Sequence, residues 1–204
     1  MRVTLFDYGA GNLHSLAKAL AGTGALVTVT TDPVAAIETD VLVLPGVGAF
    51  GPAAARLAPG CERMRDALAA GLPCIAICLG MQLLFDGSDE GEGRGLGLIE
   101  GRVRRLRAAR VPHMGWNDIE YAGPTRPDAA GLRTAYFAHS FVCAPADTAV
   151  VTGWTRHEGD RFPAIVRAKN TVGVQFHPEK SSAAGLAFLS RTLAEPSWRI
   201  GERT

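Results

Sequence analysis

Cys74-Ile75-Ala76-Ile77-Cys78-Leu79-Gly80-Met81-Gln82-Leu83-Leu84-Phe85 decides how the rest of the chain is read. Cys74 to Ile77, entered from Pro73, is a short apolar run and reads as a buried strand. Leu79 to Phe85 opens a helix at once, with no loop between. A strand that turns straight into a helix makes a sharp, strained corner, which needs small residues two before and two after its apex. Ala76 and Gly80 occupy those places, and Cys78 is the apex. A thiol there faces the free N–H groups and positive dipole end of the helix, which favours its thiolate. The plainer alternative is an inert buried cysteine, the common fate of a cysteine in an apolar run.

Working outward, the preceding sequence alternates strand and helix. Val3 to Phe6 reads as a buried strand, and Leu13, Leu16, Ala17 and Leu20 mark one face of a helix. Ala25 to Thr30 and Val41 to Leu44 are further strands. Asp32-Pro33 between them looks like a helix N-cap with proline at the first helical position. Another helical stretch ends near Ala70-Gly71. Such alternation with short links predicts a single α/β domain, a mainly parallel central sheet with helices on both faces. After about residue 97 the strands crowd together: Leu98 to Leu106, Thr134 to Phe137, Ala149 to Trp154, Pro163 to Ala168 and Thr171 to Phe176. These predict added antiparallel strands before a last helix, Ser182 to Leu193, with Leu186, Leu189 and Leu193 on one side. The acidic, glycine-rich segment Asp86 to Gly97 reads as a solvated loop. One domain over 1–195 and a frayed tail over 196–204 complete the outline.

The 21 Lys and Arg against 20 Asp and Glu leave a formal charge of +1, which argues against a nucleic-acid binder. The most apolar stretch, Leu72 to Phe85, falls short of the roughly 20 residues of a membrane span, so no membrane is expected. Cys61, Cys74, Cys78 and Cys143 contain no CxxC and no zinc spacing. A cytoplasmic protein without metal or cofactor is expected.

A thiolate nucleophile needs a base, and the base an orienting group. Phe176-His177-Pro178-Glu179 supplies both. Residues i and i+2 of an extended segment point the same way, so Glu179 can hold the imidazole of His177 in one tautomer. A surface histidine beside a helix-capping glutamate is the alternative. An oxyanion hole takes the N–H of the residue after the nucleophile, here Leu79, and a second donor from a loop after an earlier strand. Pro45-Gly46-Val47-Gly48 stands at such a place, although alone it is a common tight turn. Elbow, base and turn together indicate acyl transfer through a thioester.

These residues carry a resemblance. The chain resembles the class-I, triad-type glutamine amidotransferases, and among them the glutaminase subunits of imidazole glycerol phosphate synthase in histidine biosynthesis. The matching segments are Asp7-Tyr8-Gly9-Ala10-Gly11-Asn12-Leu13, Leu44 to Phe50, Cys78 to Leu84, Gly95 to Ile99, Val111 to Asn117, Tyr136 to Ser140 and Gly173 to Ser181. They span nearly the whole chain. The resemblance implies a flavodoxin-like amidotransferase fold and L-glutamine as substrate. It makes Cys78 the nucleophile, His177 base then acid, and Glu179 the orienting group. Val47, Gly48 and Leu79 would form the oxyanion hole. Gly46, Gln82, Glu90, His139 and Ser140 would bind glutamine, with Asp89 and Glu92 as rivals of Glu90. Two departures stand out: Ala76 where the family usually has Gly, and Phe141 where a Tyr is usual.

Ammonia released into water is protonated, so a biosynthetic use demands a dry path to an acceptor. The chain has no P-loop, no dinucleotide fingerprint and no metal set for a second reaction. The resemblance implies a heterodimer with a (β/α)8-barrel cyclase subunit, which makes imidazole glycerol phosphate and AICAR from PRFAR. Asn12, Trp116, Asn117, Tyr136 and Lys180 are expected at that interface, with core packing the alternative for Trp116 and Tyr136. Glycines on both sides of Val47 make its peptide easy to reorient when partner and ligand bind. Two other functions stay open on sequence grounds: the glutaminase of another synthase, and a non-catalytic relative with a redox-sensing cysteine.

Overall fold

A computed structural model of the chain describes residues 1–9, 13–122 and 132–195. Asn12 and the 196–204 tail lie outside the described residues. Five strands run parallel in the order β2 (Leu26–Thr30), β1 (Arg2–Phe6), β3 (Val41–Leu44), β4 (Cys74–Ile77) and β13 (Thr171–Val174). The antiparallel strands β12 (Asp160–Ala168), β11 (Val151–His157) and β8 (Glu120–Tyr121) extend that sheet beyond β13.

Period-two alternation explains why the central strands are apolar throughout. Val41, Val43, Ile75 and Ile77 pack on one face under α1 (His14–Ala21) and α5 (Ser182–Leu193). Leu42, Leu44, Cys74 and Ala76 pack on the other under α2 (Phe50–Leu57) and α3 (Cys61–Ala69). The extra methyl of Ala76 is absorbed in this second core. No helix among the described residues is long and apolar enough to cross a membrane.

Several details differ from the sequence reading. Asp32 does cap the following turn, its Oδ1 accepting from the Val34 N–H at 2.8 Å, but only a 3₁₀ turn over Ala35–Ile37 follows. The helix after Cys78, α4, stops at Gln82 (Leu79–Gln82). The strand expected from Leu98 begins later, as β6 (Gly101–Arg105), because Leu96, Leu98 and Ile99 fold back onto the Leu83 and Leu84 carbonyls. Ala149 belongs to a 3₁₀ turn capped by Asp147, so β11 starts at Val151. Leu186 faces outward at 45% exposure, and the buried stripe of α5 is Gly185, Phe188, Leu189, Thr192 and Leu193.

The acidic segment is not simply solvated. Its residues Gly87–Ser88 form β5 beside β6, Asp86 accepts from the Gly101 N–H, and Arg102 pins both Asp89 and the Ser88 carbonyl. Two further strands, β7 (His113–Asp118) and β9 (Thr134–His139), pair antiparallel, and β10 (Phe141–Pro145) pairs with β6.

Gly80 sets how closely α4 approaches β3, since a Cβ there would lie on the Leu44 carbonyl. Backbone cannot yield as a side chain does. Gly80→Ala is therefore expected to cost about 3 kcal/mol of stability, read from urea unfolding. A loss below about 1 kcal/mol contradicts this packing.

Candidate active site

The carboxyl ends of β3, β4 and β13 come together, the place where open α/β sheets bind ligands. β3 releases Pro45-Gly46-Val47-Gly48, β4 runs directly into Cys78 and β13 leads to His177. The corner between β9 and β10, Ala138 to Phe141, closes the remaining side. Gly46, Val47, Gly48, Cys78, Leu79, Gln82, Glu90, His139, Ser140, His177 and Lys180 all line one cavity of about 260 Å³. A larger hollow of about 960 Å³ between α2, α3 and the acidic loop is lined by neither the elbow nor His177.

Cys78 has φ +46° and ψ −100°, a conformation that costs a side-chain-bearing residue about 1–3 kcal/mol. The turn is held from both sides. The Cys78 N–H donates to the Val174 carbonyl at 2.6 Å, and the Gly80 N–H to the Pro45 carbonyl at 3.1 Å. Gly46 lies so close beneath that a Cβ would meet the Ile77 carbonyl at 2.9 Å. Leu79 opens α4, where an N–H has no intrahelical partner.

His177 is anchored at three points. Its N–H donates to the Tyr136 carbonyl at 2.8 Å, its carbonyl accepts from Ser181 Oγ at 2.6 Å, and its Nδ1 lies 2.8 Å from Glu179 Oε1. Ser181 Oγ also accepts from the Tyr136 N–H. Glu179 reaches the ring differently from expectation. Pro178–Lys180 is a 3₁₀ turn, which swings the carboxylate back rather than leaving it on an extended face. Because a carboxylate only accepts, Nδ1 carries the proton and Nε2 is left for another partner. Burial opposes the charged ring, but the Cys78 side chain and Glu179 outweigh it and raise His177 to about 10. The result is a thiol, an imidazole and a carboxylate in series, with the thiol 6% and the imidazole 3% exposed.

Glu90 lines the cavity while Asp89 pairs with Arg102 and Glu92 faces the other hollow. One Glu90 oxygen accepts from the Phe50 N–H at 2.9 Å, at the start of α2. Gln82 and His139 both reach the Phe141 carbonyl, at 3.0 and 3.1 Å. The main chain of Phe141 thus makes polar contacts that its ring cannot. His113 Nδ1 lies 3.1 Å from His139 Nε2, and His113 stacks on His157 at 4.2 Å. Burial, helped by the neighbouring rings, lowers His113 to about 4 and His139 to about 3, so both are neutral at pH 7.

The expected interface residues are dispersed. Trp116 is 55% exposed and packs edge-on against Tyr136, with Met114 exposed on the same side of β7. Asn117 points the other way and donates to the Arg156 carbonyl at 2.8 Å. Lys180 is exposed at the cavity rim. Sequence reasoning passed over Gln175, whose Nε2 lies 3.4 Å from Cys78 Sγ and which is fully buried. A polar side chain in the otherwise apolar run Val172 to Phe176 was the available signal.

A family model described as glutamine amidotransferase class-I matches residues 4–194. Imidazole glycerol phosphate synthase subunit HisH of a Thermus thermophilus strain is 49% identical over 193 residues, 93% of this chain and 96% of that one. The HisH subunit of Methylococcus capsulatus is 43% identical, covering 96% of this chain and 97% of its own. Among solved structures, a glutamine amidotransferase superposes with a TM-score of 0.71 at 19% identity over 95% of this chain and 99% of that one. Another, from Thermotoga maritima, gives 0.69 at 14% identity over 98% and 99%. At these identities the two structures speak for the fold alone. The chain belongs to the class-I glutamine amidotransferases and, within them, to the family of HisH subunits of imidazole glycerol phosphate synthase.

Proposed function

We propose that Cys78, His177 and Glu179 hydrolyse L-glutamine to glutamate and ammonia, and that the ammonia passes to a (β/α)8-barrel cyclase subunit of the same synthase. The observation that carries this reading is the strained Cys78 elbow, which shares a single small cavity with His177, whose Nδ1 is paired with Glu179. His177 holds on Nε2 the proton of the Cys78 thiol, and the sulfur attacks the side-chain amide carbon of glutamine. The tetrahedral oxyanion is held by the N–H groups of Leu79 and of the Val47–Gly48 turn. His177 returns the proton to the departing nitrogen, ammonia leaves, and a glutamyl thioester remains. His177 then takes a proton from water, whose oxygen attacks the thioester carbon; the C–S bond breaks, glutamate leaves, and that proton is again shared by His177 and the Cys78 sulfur. Glu179 holds the ring in the tautomer both steps need. Glu90 binds the α-ammonium of glutamine, and Gly46, Gln82, His139 and Ser140 shape the rest of its site.

Trp116, Tyr136 and Lys180 form the docking face for the cyclase, with Met114 beside them. An exposed Trp116 packed on a half-buried Tyr136 suits an interface better than solvent. The cyclase uses the ammonia to make imidazole glycerol phosphate and AICAR from PRFAR, in the cytoplasm. The Val47 peptide, between two glycines, turns when the partner docks, and an unchanged orientation in free and fully ligated crystals would remove that part. The test is glutamate release from glutamine by the chain alone and with the cyclase and PRFAR. A low rate that rises at least tenfold in the mixture is expected. A fast rate indifferent to the cyclase contradicts the coupling, and silence in both conditions contradicts the glutaminase.

A further inference from the structure

A run of hydrogen bonds joins the sulfur of Cys78 to Asn117 on β7, and the main-chain oxygen in its middle accepts from both sides. The Phe141 carbonyl can only accept, and its two lone pairs face His139 Nδ1 at 3.1 Å and Gln82 Nε2 at 3.0 Å. With a proton on Nδ1, neutral His139 has only a lone pair on Nε2. His113 must therefore donate to it from Nδ1, 3.1 Å away. His113 Nε2 then accepts, and the amide of Asn117 stands 3.4 Å from it. The second N–H of that amide is directed at the Arg156 carbonyl. On the other side of Phe141, the remaining N–H of Gln82 faces Gln175 Oε1 at 3.5 Å. That contact turns the other end of the Gln175 amide, Nε2, onto Cys78 Sγ at 3.4 Å. Gln82, Gln175, His113 and His139 are all at most 6% exposed, so water does not compete for these groups.

We propose that Gln175 is a further catalytic residue: its amide N–H holds the Cys78 thiolate, and the Phe141 carbonyl, acting through Gln82, keeps that end of the amide on the sulfur. The inference rests on Cys78 being the nucleophile. While Cys78 is protonated, its S–H has the Ala138 carbonyl 3.9 Å away. Once the proton has moved to His177, that carbonyl repels the charge and Gln175 becomes its hydrogen-bond donor. An N–H to a charged acceptor is about twice as strong as one to a neutral group. An amide turned over would instead set Oε1 against the thiolate. His139, backed by His113 and Asn117, takes the other lone pair of the Phe141 carbonyl.

Iodoacetamide reads the thiolate directly, and peptide mass spectrometry of the full-length chain separates Cys78 from the other three cysteines. In Gln175→Leu, alkylation of Cys78 at pH 7 is expected to slow about tenfold or more, and the gap to the native chain to close as the pH is raised. The KM for glutamine stays within about twofold while kcat falls, a split that a merely loosened fold does not produce. Gln175→Glu keeps the shape and the acceptor for Gln82 but loses the donor, so it serves where Gln175→Leu fails to fold and is expected to slow alkylation as much. An unchanged alkylation profile in a folded variant overturns the proposal. Glutamate release from the same samples separates the two readings. A native chain silent with its partner fails the proposed function, whereas an active one indifferent to Gln175→Leu fails this inference.

Discussion

Cys78→Ala releases glutamate at least about ten-thousandfold more slowly than the native chain, in a protein that folds to the same cooperative state. Removing a nucleophile takes the covalent route away altogether, and the groups left behind have no other way to open an amide. The turn around Cys78 is held by the Val174 and Pro45 carbonyls, which meet backbone N–H groups rather than the thiol. The same position separates chemistry from strain. Alanine retains the Cβ that disfavours φ +46°, whereas glycine does not. Cys78→Gly should be inactive yet more stable than Cys78→Ala by about 1–2 kcal/mol. A coupled glutamate assay and urea unfolding of both variants check this. Turnover retained in Cys78→Ala would end the assignment of the nucleophile. A glycine variant less stable than the alanine variant would mean that the elbow stores no strain.

The elbow was legible in the sequence because its requirements are local. Small residues must stand at fixed offsets from the apex, and Gly80 is forced by the closeness of the Leu44 carbonyl. The parallel half of the sheet was legible for a similar reason, since strands buried on both faces read as unbroken apolar runs. Elsewhere the governing contacts are distant. The 113–118 strand exists because it pairs with 134–139, and its alternation of His113, Gly115 and Asn117 against Met114, Trp116 and Asp118 carries little hydrophobic contrast. The acidic segment looked solvated because its composition is polar. What fixes it is Arg102 on the next strand and the Phe50 N–H of a helix 40 residues earlier. Leu186 looked like core by its spacing, but in α5 the small Gly185 is what the core admits, since a Cβ there would lie on the Pro178 carbonyl. Gln175 illustrates the limit most clearly. Its partners, Gln82 and Cys78, are more than 90 residues away in sequence, so no local pattern assigns it a role.

Between pH 7 and pH 5 the chain should lose about 3 kcal/mol of stability, through buried histidines. Folded His113 and His139 titrate at about 4 and about 3, whereas an unfolded histidine takes its proton near 6.5. Below pH 6.5 the unfolded chain therefore binds protons that the folded chain refuses, and stability falls with pH. The contribution of these two rings is complete above 6.5 and is lost as the pH drops toward their folded values. By pH 5 each costs about 2 kcal/mol. His177 has the opposite sign. Burial is outweighed by Cys78 and Glu179, its folded value is about 10, and its stabilisation is complete below 6.5 and lost as pH rises through 10. On going from pH 7 to 5 it returns somewhat under about 1 kcal/mol, which does not cancel the other two. The depressed carboxylates of Asp40, Glu158 and Asp160 act lower, where an unfolded carboxylate titrates, and leave this window to the histidines. Urea unfolding at the two pH values measures the difference. His113→Phe, which keeps a ring between Phe137 and His157, should shrink the pH dependence by about two-thirds. Stability that is level from pH 7 to 5, or a dependence that His113→Phe leaves intact, would mean that these rings accept protons in the folded chain.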